Sequence, residues 1–348
     1  MKNKKKLNFI IVGQGIAGTI LAFNLLQMNK SVLMIDQLKE NEKSSSKIAL
    51  GIYNPLVLKW ITKSWKADEQ IKYLFDFIHS FESFFNQQIN QKKYIHRILK
   101  TNYEINNWKT KQTLNKLKRY MSSDLKTLSI SKEFFGVVLN SGWIDVQQML
   151  SIFLNFLKKN ELFVNEKFDY KKVNLNSDYI EYKNFKCERI VFCEGCSVLN
   201  NPFFNDLKLK PTKGEVLKIH IPTLKLEEVV HTGVITIPLG DDIYHIGSTF
   251  DWEDFTIGPT EKSKVDLINK LPFLKKGAYK VIDHQAAHRP STFDRRPILG
   301  AHKKYNNLFI FNGLGSRGLL LSPYLSKELI DFIFQGKVIN PEISINRF

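Results

Sequence analysis

The chain has 348 residues, 43% of them hydrophobic and 24% charged, with 51 Lys and Arg against 34 Asp and Glu for a net charge of +17. That length exceeds one simple core and predicts two domains. The composition excludes a disordered or fibrous chain, and no apolar run reaches the length of a membrane span. Three clustered cysteines, Cys187, Cys193 and Cys196, exclude a disulfide framework and fit free thiols in a reducing cytoplasm; a zinc site would need histidines at ligand spacing.

The opening Met1–Lys6 is lysine-rich but leads directly into an apolar strand, Leu7–Val12, so a secretion signal is not expected. Gly13-Gln14-Gly15-Ile16-Ala17-Gly18 follows as G-x-G-x-x-G, then a helix carrying Ile16, Ile20, Phe23 and Leu26, then a strand Ser31–Ile35 ending on Asp36. This is a dinucleotide-binding unit. Gly13 permits the turn, Gly15 lets a pyrophosphate approach the backbone, and Gly18 lets helix and strand pack closely. The N–H groups of Ile16 and Ala17 open the helix toward the phosphates. Asp36, roughly 20 residues on, accepts from a ribose and disfavours a 2′-phosphate. A small residue at Ala22 and an Asn at the helix end, Asn29, favour FAD over NAD; Asn tolerates the left-handed conformation needed there.

A polar loop, Lys39–Lys47, leads to the small-residue segment Ile48–Pro55, which is either a plain turn or backbone passing close to a flavin. An amphipathic helix is expected over Ala67–Gln88 (Ile71, Leu74, Phe75, Ile78, Phe81 and Phe85 inward) and a basic one over Thr110–Tyr120. Phe134–Leu139 reads as a strand, and Asp145 caps a helix over Val146–Lys158. Strands are expected at Leu162–Val164, Tyr179–Tyr182 and Glu188–Phe192, the last ending on Glu194-Gly195. A β-rich block follows at Glu215–His220, Val229–Ile237 and Asp242–Gly247, with Asp241-Asp242 at a hairpin turn. Lys262–Leu271 reads as a helix and Ile282–Pro290 as a strand. The last strand, Leu308–Phe311, enters Gly313-Leu314-Gly315-Ser316-Arg317-Gly318 and a helix over Leu319–Phe334, with Pro323 in its first turn. This glycine loop repeats the logic of the first, and two such sites far apart in sequence suggest one long cofactor held at both ends.

The net charge leaves two readings open. A basic face would bind nucleic acid; scattered lysines would merely solvate the surface. The basic clusters at Lys109–Arg119 and Lys275–Lys280 lack an arginine-rich or aromatic-interleaved pattern.

These motifs, with Ser45–Gly51, Gly142–Asp145, Lys213-Gly214-Glu215, His288-Arg289-Pro290 and Asp294–Gly300, fall in an order that resembles the D-amino-acid oxidase (glycine oxidase-like) superfamily of FAD-dependent oxidoreductases. The Gly315–Gly318 turn is similar to the oxidase domain of bifunctional tRNA wobble-uridine enzymes of the MnmC family; the methyltransferase domain of those enzymes is not found in this chain.

The resemblance implies an α/β fold in which a Rossmann-like FAD-binding domain (1–62, 142–205 and 285–348) is interleaved with a smaller β-rich substrate domain (63–141 and 206–284). It adds Ser45, Ser46, Ala49, Gly51, Phe168, Gly195, Gly313, Gly315, Ser316 and Gly318 to Gly13, Gly15, Ile16, Ala17, Gly18 and Asp36 as cofactor contacts. Arg289 matches a substrate-carboxylate clamp; the competing reading is a structural salt bridge to Asp294 or another acid. Arg317 neutralises flavin or touches substrate, Tyr244 is the candidate substrate-side tyrosine, and Arg295 and Arg296 are structural. His284 and His288 are either catalytic or structural. Glu194 stands where relatives carry a small residue. No cysteine matches a flavin attachment site, so non-covalent FAD is expected.

The implied activity is oxidation of the C–N bond of an amino-acid or N–CH2–COO⁻ substrate. The alternatives are the same oxidation on a carboxymethylaminomethyl-type uridine of tRNA, and a non-catalytic flavin-binding protein. No metal and no membrane partner are expected.

Overall fold

The computed structural model describes residues 4–38, 44–274 and 278–348. Met1–Asn3, part of the Lys39–Lys47 loop, and Lys275 and Lys276 of the second basic cluster lie outside them.

The fold is mixed α/β, built on two eight-stranded sheets. In the first, Lys5–Val12 lies between Val32–Asp36 and Phe185–Phe192, with Phe163–Asn165 beyond Val32–Asp36 and Leu308–Asn312 beyond the C-terminal half of Phe185–Phe192, all parallel. Antiparallel strands Val173–Leu175, Ile180–Tyr182 and Ile298–Ala301 complete it. Its central strands are apolar on both faces because both are covered. Phe9, Ile11, Met34, Val191, Phe309 and Phe311 point into one core cluster. The alternate residues Ile10, Val12, Leu33, Ile35, Ile190, Phe192 and Ile310 point into another. The period-two split follows from the strand pleat.

Helices α1 (Ile16–Gln27), α2 (Ala67–Phe85), α3 (Asn102–Gln112), α4 (Val146–Lys159), α5 (Glu261–Asn269) and α6 (Gly318–Gln335) are the six α-helices of the described residues. α1 packs on α6 and α4. Phe23 of α1 is fully buried among the rings of Phe77, Phe81, Phe84, Phe85 and Phe153, with centroids 5.2–6.3 Å away. Asn29 has φ +56°, the left-handed end expected of α1. Asp145 caps α4 by accepting from the Gln148 N–H.

The second sheet runs Lys280–Arg289, Thr212–His220, Ile243–Gly247, Ile235–Gly240, Val229–His231, Ile95–Leu99, Ser131–Val138, Met121–Leu128. Only the Val229–His231/Ile95–Leu99 pair is parallel. Asp241 and Asp242 sit at φ +50° and +57° in the hairpin turn, as its short loop requires. The strand Lys280–Arg289 passes unbroken through residue 285.

Several expectations are corrected. The basic helix is Asn102–Gln112, capped by Thr101, and the chain over 113–120 is turn and 3₁₀-helix instead. There Tyr120 is buried and its hydroxyl donates to Asp68. Val229–Ile237 is two strands, because Gly233 turns the chain at φ +120°. Phe75 is 37% exposed and Phe77 takes the inward position. Pro323 lies in the second turn of α6 rather than its first, since the helix already starts at Gly318.

The aromatic cluster makes a stability prediction. Phe23→Ala should cost about 3–5 kcal/mol in urea unfolding. A loss below about 1 kcal/mol would mean that the neighbouring rings collapse into the space.

Candidate active site

One cleft of about 1910 Å³ runs between the sheets, larger than the roughly 300–1,000 Å³ of an ordinary small-molecule pocket. Its wall includes Gly13, Gly15, Ile16, Ala17, Asp36, Ser45, Ser46, Ala49 and Gly51 from the N-terminal segments. It also includes Phe168, Gly195, Arg289, Gly315, Ser316, Arg317 and Gly318. Sequence reasoning therefore assembles most of one surface from seven separate stretches. Gly18 and Gly313 stand behind it. A Cβ at Gly18 would lie 1.9 Å from the Gly13 carbonyl oxygen, so this glycine sets the helix-to-strand distance. Gly313 has φ +72° and shapes the second loop against Ile298.

The N-terminal turn is held on both sides. Gly13 (φ +106°) passes so close to strand Phe185–Phe192 that a Cβ would meet the Cys193 carbonyl at 2.4 Å. Asp36 accepts from the Gln14 N–H at 2.8 Å. Ser46 Oγ accepts from the Ile16 N–H at 3.1 Å, so an oxygen already lies at the positive end of α1. The loop before α6 is tied to the same place: Asn312 Nδ2 donates to the Gly195 carbonyl at 2.9 Å and the Gly315 N–H to the Pro290 carbonyl at 3.1 Å. Two helix N-termini thus open into one cleft. With the bare backbone at Gly13–Gly15 and the acid at Asp36, the walls fit a dinucleotide with an anionic middle and a second electron-rich end.

Two guanidiniums line the cleft without an acidic partner among the described residues. Arg289 donates to Ser248 Oγ (2.7 Å) and to the carbonyls of Thr249 (3.1 Å) and Lys213 (3.3 Å). It lies over Gly214, where a Cβ would come within 1.9 Å of Nη2. Burial pushes its pKa down to about 10, still charged at neutral pH. Asp294, the partner in the salt-bridge reading, is bound instead to Arg347 at 2.9 Å. Arg317, preceding α6, donates to the carbonyls of Asn54 and Leu56, both at 3.1 Å, and burial lowers its pKa also. Arg296 contacts Glu342 at 3.4 Å, the structural role expected of it.

Tyr244 is a correction. Its hydroxyl donates to the Leu224 carbonyl and its ring is buried among Leu217, Ile246 and Leu267. It belongs to the core of the second sheet, not to the cleft. His284 and His288 line the cleft, but His284 Nε2 lies 2.9 Å from buried Glu215 and His288 Nε2 is 3.2 Å from the Asp254 carbonyl. Cys193 and Cys196 also line it; burial pushes both thiols up, Cys196 to about 12, which makes them poor nucleophiles.

Sequence reasoning missed the groups that hold the guanidiniums: the Ser248 hydroxyl and the Lys213, Thr249, Asn54 and Leu56 carbonyls. The available signal was a glycine inside a strand, at Gly214, which marks close approach. It also assigned no partners to Glu194. That carboxylate lines the cleft and accepts from Tyr170 at 2.5 Å and Asn201 at 2.7 Å. Burial raises its pKa from 4.5 to about 7 against the lowering effect of those bonds, and nearby Asp36 adds to the rise.

A family model described as FAD dependent oxidoreductase matches residues 8–332. The tRNA 5-methylaminomethyl-2-thiouridine biosynthesis bifunctional protein MnmC of Marinobacter nauticus is 22% identical over 94% of this chain, which spans 55% of that protein's length. Among solved structures, iminodiacetate oxidase from Chelativorans sp. superposes with a TM-score of 0.74 at 16% identity, covering 96% of each chain. Glycine oxidase from Bacillus cereus superposes at 0.72 and 19% identity, also over 96% of each chain.

Glu194 gives a pH prediction. Its raised pKa means that the linked stability is fully present below pH 4.5 and lost as pH rises through about 7. Urea unfolding of the cofactor-free protein should show the wild type losing up to about 3 kcal/mol relative to Glu194→Gln across that window. Parallel pH profiles would show that Glu194 does not carry the strain.

Proposed function

We propose, from the premise that the chain belongs to the family of FAD dependent oxidoreductases, that it oxidises the C–N bond of an amine bearing an N–CH2–COO⁻ or amino-acid unit. The observation that carries this is Arg289, a charged guanidinium on the cleft wall whose protein partners are all neutral. A planar guanidinium binds a carboxylate through two parallel donors.

FAD, when bound, supplies the two-electron acceptor for the hydride leaving the carbon beside nitrogen. The residues that would hold it are Gly13–Ala17 and Ser45–Ser46 at the phosphates, Asp36 at the ribose, and Gly315–Gly318 at the far end. Arg289 fixes the carboxylate, and with it the neighbouring C–H bond. The N-terminus of α6 and Arg317 place positive potential beside the far end of the cleft. No side-chain base is required if the amine arrives neutral; the oxidised C=N product is then hydrolysed by water. Free, protonated thiols support non-covalent FAD and a reducing, cytoplasmic setting. We assign the parallel sheet to cofactor binding and the antiparallel sheet to substrate; the boundary expected at 284/285 falls inside the strand Lys280–Arg289, whose residues 285–289 go with the antiparallel sheet.

A second reading places the same amine on a tRNA wobble uridine. The nearly full-length similarity of this chain to part of a tRNA-modifying protein supports it, and so does the net charge of +17. Among the described residues no helix is long and apolar enough to cross a membrane.

The purified protein should be yellow, with about one FAD per chain released to the supernatant on acid denaturation. Gly15→Glu should be folded but colourless, because the new side chain fills the phosphate position and repels it. Flavin that stays with the precipitate would show a covalent link.

Arg289→Lys should keep FAD yet lose roughly 2–4 kcal/mol of kcat/KM, mainly through KM, for a carboxylated amine. Its decarboxylated counterpart should be nearly unaffected. Anaerobic flavin reduction by the two amines measures this; equal losses for both would remove Arg289 from the substrate site.

A further inference from the structure

Outward from Arg289, the surface carries rings and cations in alternation. The Arg289 guanidinium lies 5.4 Å from the centre of the Phe250 ring, and Phe250 meets Trp252 edge-on at 5.3 Å. Lys210 Nζ sits 5.2 Å from the Trp252 ring and 5.3 Å from Phe293, and Arg295 is 6.0 Å from Trp252. Three separate stretches are brought together here: Lys210, residues 250–252 and residues 289–295. The bridge Leu209↔Thr292 and the bond from the Lys210 N–H to the Ser291 carbonyl at 2.7 Å tie the first to the third, and the bridge Lys213↔Asp251 ties the second to the strand that follows Lys210. Phe250 is 46% and Phe293 68% exposed, a high cost in water for rings with no covering element.

None of the three cations is ion-paired among the described residues. Two acids of the same loop are engaged elsewhere: Asp251 accepts from the N–H groups of Glu253 and Asp254, and Asp254 is bound to Lys213 at 2.8 Å, while Glu253 is exposed beside Trp252. The patch therefore offers flat apolar faces and unneutralised positive charge at one spacing.

We infer that Phe250, Trp252 and Phe293, with Lys210 and Arg295, form a platform for unpaired nucleotides of an RNA strand, stacking bases on the rings while the cations meet the phosphates, and lead the strand to the cleft at Arg289. The inference rests on the tRNA reading above and assigns its docking surface. The chemistry matches what single strands present: every base has a π-face, and the backbone between bases is anionic. A duplex has its bases already stacked on one another, so it satisfies the cations but not the rings. An apolar protein partner would not need the cations, and a free amino acid would need none of the platform, since it contacts only the cleft.

The test uses FAD-loaded full-length protein and fluorescence anisotropy, with a fluorescein-labelled RNA of about ten nucleotides, single-stranded or annealed to its complement. Flavin content and melting temperature check folding. The platform predicts tighter binding of the single strand than the duplex. It further predicts that Phe250→Ala combined with Phe293→Ala weakens the single strand by about 10-fold or more while leaving duplex binding and the salt slope nearly unchanged. Phe250→Tyr with Phe293→Tyr should retain most of the affinity, because the stacking face remains.

Salt-dependent RNA binding that ignores the alanine pair would overturn the platform and leave the tRNA reading standing. If the wild type binds neither RNA while small carboxylated amines still reduce its flavin, both platform and tRNA reading fall and the free-amine reading stands.

Discussion

Everything in this molecule depends on how closely α1 approaches the strand that precedes it. Gly18 lies against the Gly13 carbonyl with no room for a Cβ, and Gly13 lies as tightly against the Cys193 carbonyl. These contacts draw three backbone segments into one knot at the carboxyl end of the parallel sheet. Phosphate-binding N–H groups can then be presented there with no side chain in front of them. The aromatic packing around Phe23 holds the other end of the same helix.

The second constraint is electrostatic. A guanidinium held against neutral carbonyls and a hydroxyl has given up part of its hydration without gaining a counter-charge. Arg289 is in this state, and Arg317, held by the Asn54 and Leu56 carbonyls alone, is in a similar one on the same cleft. Glu194 is the reverse case, an acid set near another acid and relieved by Tyr170 and Asn201. Asp36 and Glu194 therefore line one part of the cleft and the two guanidiniums another.

Most of the fold was legible because its signals are local. The glycine spacing, the apolar runs of the central strands, the Asp145 cap and the Asp241-Asp242 turn each depend on a few neighbouring residues. The missed strand Ile95–Leu99 pairs with Val229–His231 far along the chain, and the missed Met121–Leu128 is a mostly solvent-facing edge strand that lacks a regular apolar alternation. Asn102–Gln112 was misplaced because its one buried anchor is Trp108, which gives no helical stripe. Within the cleft, residues tied to backbone geometry were found from sequence. Tyr244 was not, since only the fold tells which face of its strand meets the core. The ring-and-cation strip was invisible for a related reason. It is interleaved in space across three stretches, so no sequence window contains it.

The strand Lys280–Arg289 joins these parts. Its length is laddered to Thr212–His220, and just past its end the Pro290 carbonyl accepts from Gly315 in the loop that opens α6. One stiff element therefore carries the arginine proposed to hold the substrate carboxylate and touches the loop proposed to meet the cofactor. The walls facing it, Ser248 onward, belong to a loop whose residues 248–259 enter none of the hydrophobic core clusters. Such an arrangement separates what must stay fixed from what can drift. New substrates can be explored by changing the facing loop while the reacting geometry is inherited unchanged, which gives the scaffold room to diversify without relearning its chemistry.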